Sequence, residues 1–401
     1  MTALLFAAAW STEAAAQTSS AGERNLTIGL KARAEYDSNV ARGNRTFSDL
    51  TGVRPDDIRY NLAASVDASM PVGRQSVFLR GDIGYDFYQY NKSLKRERIE
   101  LLAGSALSFG PCRGSATAAY HRAIADDEDL TLADSRSTVQ QRVTVGATES
   151  CGLIGNLGQS GSVQHSEVTN SGARTLIGSQ STSVSGGLNY GSRTLGSLGL
   201  IGSYTQTSYD QPPTIVVAPT PDVKIYSVGL QYERPIGQRL SGVASISRYQ
   251  VHRDSGVAPT TALGTSNDNK GTSWSVGLNY NVSSRLSTQV SFSSSVGAST
   301  RIGAGFQKRQ IEEISASYQI SPRLHASMAA TSSKRDFPGA TTTVLGVASR
   351  EKRDTIRGNL GFDLGRKTRL SLDGRYDQVH TDVSLLDYSS YRIGLTASVS
   401  F

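Results

Sequence analysis

The chain has 401 residues, 41 Lys and Arg against 34 Asp and Glu, a formal net charge of +7, and 37% hydrophobic residues. Its texture does not change along its length, so one architecture should account for nearly all of it. No segment approaches the roughly 20 consecutive apolar residues of a membrane-spanning helix. Repeated alternating segments that include 17 Tyr and 10 Phe exclude a disordered chain. The basic residues are dispersed rather than clustered, which excludes nucleic acid as a partner.

Residues 1–16 read as a signal peptide: an apolar run from Met1 to Trp10, then Ala14-Ala15-Ala16 before Gln17, a small-residue cleavage site. No Lys or Arg precedes that run, and Glu13 lies close to the site, both departures from the usual pattern. The remainder, residues 17–401, reads as one unit.

From Leu26 onward the sequence falls into segments of roughly 10–15 residues that alternate apolar and polar, the period of strands. In Asp354–Leu364, Ile356, Leu360, Phe362 and Leu364 share one face, while Arg357, Asn359 and Asp363 share the other. A face that carries so many charges cannot be a packed core.

Tight turns are predicted at Pro71–Arg74, Gly110–Arg113, Cys151–Asn156, Gly191–Arg193, Pro235–Gln238, Ser283–Arg285, Ser321–Arg323 and Gly365–Lys367, where Gly, Pro and Ser each favour a turn. Longer polar connections fall between them at 41–55, 126–133, 211–221, 254–270 and 336–350. Short connections at one end and long ones at the other fit an outer-membrane barrel with its short turns in the periplasm. The expected fold is therefore all-β: a single transmembrane antiparallel barrel of about 18 strands, within a range of 16–20. After four of the turns an Arg-Leu pair recurs, at Arg239-Leu240, Arg285-Leu286, Arg323-Leu324 and Arg369-Leu370. Each Arg could reach polar groups at the periplasmic interface while its Leu enters lipid, or these could be ordinary turn residues.

Cys112 precedes one strand and Cys151 follows the next, so both fall at the periplasmic end of one hairpin, where a disulfide is feasible. The five histidines are scattered and no metal-ligand spacing occurs, so neither metal nor cofactor is expected. No nucleophile stands out with its base, and an enzyme is not expected. The acidic run Asp126–Asp129 falls in a predicted external loop, either solvated or shared with cations of lipopolysaccharide. Most aromatic residues near strand ends read as interfacial girdles, with Tyr88 a candidate for inward sugar stacking.

Alternation assigns an inner face to Lys31, Arg33, Arg80, Asp82, Arg96 and Arg98 in the first strands. It does the same for Arg353, Arg357, Asp363, Arg369, Asp373 and Arg375 near the end of the chain. These twelve are the candidate translocation residues. Their charges either pair across the wall and hydrate a channel, or leave arginines free to form an electropositive path for anions.

The last strand places Tyr391, Ile393, Leu395, Ala397, Val399 and the terminal Phe401 on one face. This pattern resembles the C-terminal signal by which outer-membrane barrels engage their assembly machinery.

Three segments, Ala34–Arg42 with its core Tyr36-Asp37-Ser38-Asn39-Val40, Asp56–Leu62 and Gly81–Asn91, resemble the opening of the putative β-barrel porin 2 family, which is associated with exopolysaccharide secretion. The resemblance implies a passive conduit in the bacterial outer membrane, among its lipids and lipopolysaccharide, that works with periplasmic polysaccharide-export proteins to release a polysaccharide. A general diffusion porin for small hydrophilic or anionic solutes, and a structural or adhesive barrel with a filled lumen, remain as alternatives.

Overall fold

In the computed structural model, the described residues are 24–124, 138–171, 178–192, 194–210, 221–254, 268–299, 304–338 and 348–401. The leader expected over 1–16 and the acidic run Asp126–Asp129 lie outside them. The described chain forms one closed antiparallel sheet of 18 strands.

The first half of the wall is β1 (Asn25–Asp37), β2 (Asp57–Val72), β3 (Gln75–Tyr88), β4 (Arg96–Phe109), β5 (Cys112–Ile124), β6 (Val139–Gly152), β7 (Leu157–Ser171), β8 (Ser179–Ser192) and β9 (Gly196–Tyr209). The second half is β10 (Asp222–Ile236), β11 (Leu240–Asp254), β12 (Asp268–Asn281), β13 (Leu286–Ala298), β14 (Phe306–Ser321), β15 (Leu324–Asp336), β16 (Arg350–Asp363), β17 (Thr368–Thr381) and β18 (Tyr388–Ser400). Each strand pairs with its neighbour in sequence. β1 closes the ring on β18, from Gly29 opposite Ser400 to Asp37 opposite Arg392. Closure satisfies every strand edge, which a sheet in hydrocarbon requires because no water is there to bond an open one.

The alternation in the sequence becomes the two faces of this wall. Leu200, Ile246, Leu372, Ile393 and Leu395 stand exposed on the outside, whereas Glu35, Arg353 and Asp377 are buried on the inside. A soluble protein does not leave so large an apolar surface bare, and lipid is the solvent that stabilises it. Tyr85, Phe87, Tyr226, Tyr376 and Tyr391 are exposed on the outer surface towards the extracellular end. Tyr36 packs against Tyr391 across the closing seam, with ring centroids 5.8 Å apart. The wall is that of an outer-membrane barrel.

All eight predicted tight turns close hairpins at the end that also holds Asn25 and Phe401. Gly73 in the first of them has φ +64°, a conformation that a Cβ disfavours. At the other end nine connections run longer. Four of them were not among the predicted loops, those after β3, β7, β13 and β17, because they span only a few residues each.

The loop after β1 carries the one α-helix among the described residues, α1 (Arg45–Thr51), whose Asn44 side chain accepts from the Phe47 N–H at 3.0 Å. Phe47 packs with Ala348 and Leu386 from the neighbouring loops. On the other side Val40, Ala41 and Val53 pack with Tyr88 and Leu94. Tyr88 points inward and lies largely buried beneath this loop, at the external end of the lumen.

Candidate functional site: the barrel lumen

The parity of each strand decides what the lumen contains. All twelve candidate residues fall on the inner face, in register with one another and opposite to the lipid-facing set. The structure brings most of them together in ion pairs. Lys31 and Arg98 both reach Asp82, at 2.7 and 3.1 Å. Arg33 bridges Glu35 and Asp373, the latter at 2.6 Å, and so ties β1 to β17 across β18. Arg375 and Arg392 share Asp377 at 2.8 and 2.7 Å. Arg80 lies 3.4 Å from Asp67, Arg357 3.5 Å from Glu313, and Arg369 3.8 Å from Asp363. Arg353 sits beside Glu351, which also holds Arg335 at 2.8 Å. Arg96 stands apart from these pairs near the external end, where it donates to the Lys95 carbonyl at 2.7 Å.

Pairing does not neutralise the lumen. A continuous cavity of about 2150 Å³ runs from Arg323 and Lys367 at the periplasmic turns to Arg42 and Tyr88 at the external end. Among the described residues, thirteen Arg and Lys line it against seven Asp and Glu, an excess of cationic side chains. Several of these cations were not among the sequence candidates: Arg59, Arg142 and Arg309 face the cavity, as does Arg323 of the Arg-Leu repeats, alongside the expected Arg369. Arg239 of that repeat instead reaches the Val282 carbonyl of the next turn, at 3.5 Å.

The opposite wall carries few charges, Arg142 and Arg253 among them. From β5 to β12 the inner face is dominated by Ser, Thr and Gln, and cross-strand hydroxyl pairs recur along it: Ser115 with Thr148 at 2.8 Å, Ser162 with Ser185 at 2.7 Å, Ser203 with Ser227 at 2.7 Å, and Ser245 with Ser275 at 2.7 Å. Each hydroxyl keeps further hydrogen-bonding capacity for a solute. A charged wall thus faces a hydroxyl wall across the bore.

The bore is narrowed by an inward-folded hairpin. β12 pairs with β13 only as far as Trp274 opposite Ser294, whereas β13 and β14 stay paired up to Ala298 opposite Phe306. Freed from β12, the tip of that hairpin turns inside the wall. Val296 and Phe306 pack there with Tyr209, Val223, Ile225, Tyr249 and Val251 from the inner faces of β9–β11. Gly305, with φ +64°, makes the bend, and an added Cβ would lie 3.2 Å from Val223. The Arg253 guanidinium lies 4.6 Å from the Phe306 ring centre and donates to the Pro338 carbonyl at 3.1 Å. The hairpin presents Gln307 and Arg309 to the cavity.

At the external mouth, Asp37 accepts from Arg42 at 2.5 and 3.0 Å, from the Ser390 hydroxyl at 3.0 Å and from the Asn39 N–H at 2.9 Å. Burial opposes the Arg42 charge, and the Asp37 carboxylate more than offsets it, raising the guanidinium above its ordinary pKa. Arg42 has φ +57°, so the ion pair also holds a backbone conformation that side chains disfavour. The motif that carries the resemblance therefore builds the anchor of this loop.

Cys112 and Cys151 are directly opposite in β5 and β6 and bonded, with Cα atoms 4.0 Å apart. By strand parity they sit on the outer face at the periplasmic rim, away from the lumen. No group of His, Cys, Asp and Glu among the described residues has the arrangement of a metal site.

Fold and lumen define a porin-like barrel of the outer membrane. A family model described as Putative beta-barrel porin 2 matches residues 262–401, which hold β12–β18. The match lies at the other end of the chain from Tyr36–Val40, so the two likenesses rest on different residues. Among solved structures, OccK2 (OpdF) of Pseudomonas aeruginosa is 12% identical over 94% of this chain and 98% of its own, with a TM-score of 0.48. OccAB3 of Acinetobacter baumannii is 11% identical over 94% and 99%, with a TM-score of 0.46. No curated protein sequence matches.

Proposed function

We propose that the protein is a passive outer-membrane channel for hydrophilic solutes that carry negative charge. The observation that supports this reading is the cavity that spans the wall from Arg323 to Arg42 with an excess of cationic side chains. Fixed positive charge in a confined, poorly screened bore raises the local concentration of anions. The paired carboxylates keep each arginine from binding a passing anion tightly, so solutes exchange many weak contacts instead of a few strong ones. No bond is made or broken, and the side chains act by orientation and charge alone.

A second reading, an exit for an exopolysaccharide, is favoured by the hydroxyl wall. Ser162, Ser185 and Ser203 lie side by side along a neutral surface on which sugar hydroxyls can trade hydrogen bonds as a chain advances. The resemblance at Tyr36–Val40 points to the same cargo, with periplasmic export proteins as partners and the C-terminal strand as the signal for barrel assembly. Residues 1–16 would be the leader removed on export.

Deletion of the gene, with extracellular and periplasmic polysaccharide measured side by side, separates the two readings. Polysaccharide lost outside and accumulating in the periplasm supports the exit. Unchanged secretion with slower uptake of small organic anions supports the diffusion channel.

A further inference from the structure

The outer surface carries its own charge pattern, independent of the lumen and of the cargo. In β1–β9 the one lysine among the strand residues, Lys31, faces inward. In β10–β17 Lys308 is opposite Val296 on the infolded hairpin, and the other four strand lysines, Lys224, Lys270, Lys334 and Lys352, fall on the lipid-facing parity at the external ends of their strands. Each sits beyond the apolar belt, at the height of the outer-leaflet headgroups. In β16, for example, Ile356, Leu360 and Phe362 are the exposed belt residues, and Lys352 lies beyond them.

The pattern is densest on β15–β17. Lys334 is directly opposite Lys352, and Lys352 is directly opposite His380, so two ammonium groups and an imidazole stand in one row across three strands. On β14, Gln310 is opposite Lys334. The carboxylates that face this row are Asp354, which pairs with Lys352 at 2.9 Å and accepts from the Ser332 hydroxyl at 2.6 Å, and Asp336, which is opposite Lys308. Neither is in register with Lys334. Like charges side by side on a sheet destabilise it, and a multivalent anion between them reverses the sign. In the outer leaflet, the anions at that height are the phosphates of the lipid headgroups.

We infer that the outer face of β15–β17 is a binding site for a phosphorylated glycolipid of the outer leaflet, its phosphates held between Lys334 and Lys352. Acyl chains would lie down the belt over Met328, Ile356 and Leu360, all exposed on the same strands. The site orients the barrel in the leaflet by one side and leaves the lumen untouched.

The test uses the folded full-length barrel in detergent and purified lipid A, in its bis-phosphorylated and fully dephosphorylated forms, with binding read by native mass spectrometry. The phosphorylated form should bind, and K334Q/K352Q should bind it about 30-fold more weakly, at roughly fivefold per lysine. K334R/K352R should retain binding, which separates lost charge from lost folding, and heat-modifiable mobility should show both variants folded. Equal binding of the two lipid forms, or an unchanged affinity in K334Q/K352Q, would overturn the inference. So would displacement of the lipid by inorganic phosphate at equal concentration, since the site would then recognise the free ion rather than the lipid.

Discussion

The Tyr209 hydroxyl on β9 donates to the Gly305 carbonyl at 2.6 Å, which latches the tip of the β13–β14 hairpin to the inner wall 96 residues away in sequence. The same oxygen accepts from the Ser299 N–H at 3.2 Å, so one side chain holds both arms of the tip. Burial raises the free-energy stake of this contact, since Tyr209 sits among Val223, Tyr249 and Phe306.

Loss of the latch should widen the bore. Tyr209→Phe removes a hydrogen bond worth about 0.5–1.5 kcal/mol, so the hairpin should leave the wall several times more often. Phe306→Ala removes a fully buried ring, a change on the order of 3–5 kcal/mol, and should release it outright. Single-channel recordings should show added open-state noise in the first variant and a larger steady conductance in the second.

The mouth depends on the buried pair of Asp37 and Arg42. Removing one partner leaves the other charge buried and alone, which costs roughly 3–5 kcal/mol at such sites. In Asp37→Asn, Arg42 has no strong reason to keep its positive φ, and the loop with α1 should detach while the barrel persists. Limited proteolysis should then cleave within residues 38–56, with the heat-modifiable mobility of the barrel unchanged.

Much of this was legible in the sequence, because a transmembrane strand must alternate and a tight turn must carry Gly, Pro or Ser. All eight short turns, the inner set from Lys31 to Arg375 and the outward set from Tyr391 to Phe401 follow from that requirement alone. The inward hairpin was not legible. Val296 and Phe306 share the parity of lipid-facing residues on their own strands, so an apolar residue there reads as belt when it is in fact packed on the inner wall. The hydroxyl wall was hidden by the abundance of Ser and Thr, which gave no position special weight. Arg59 and Arg392 went unread although they lie on the same face as Asn61 and Ser390. The short external connections were missed because length was the only cue used for that end.

The disulfide should affect stability and not transport. Cys112 and Cys151 close a loop of 39 residues, which on chain-entropy grounds is worth about 2–4 kcal/mol against the open chain. Cys112→Ser with Cys151→Ser should lower the temperature at which the barrel loses its compact mobility in detergent, while conductance and ion preference stay as they were.

The depth of the lipid belt can be checked on the outer face. Leu372→Arg, at an exposed belt position on β17, should cost roughly 2–4 kcal/mol in bilayer folding titrations. The same substitution at Gln378, three outward positions nearer the external end, should be close to neutral.

The central claim is that the lumen is a water-filled path with a positive field, and ion selectivity tests it most directly. The refolded barrel should be inserted in a planar bilayer under a potassium chloride gradient, alone and as the variant Arg142→Glu with Arg309→Glu. The account predicts discrete conductance steps and a reversal potential of anion-selective sign, which moves towards cation selectivity in the variant. A barrel that does not conduct, or one that prefers cations before any charge is changed, would contradict it.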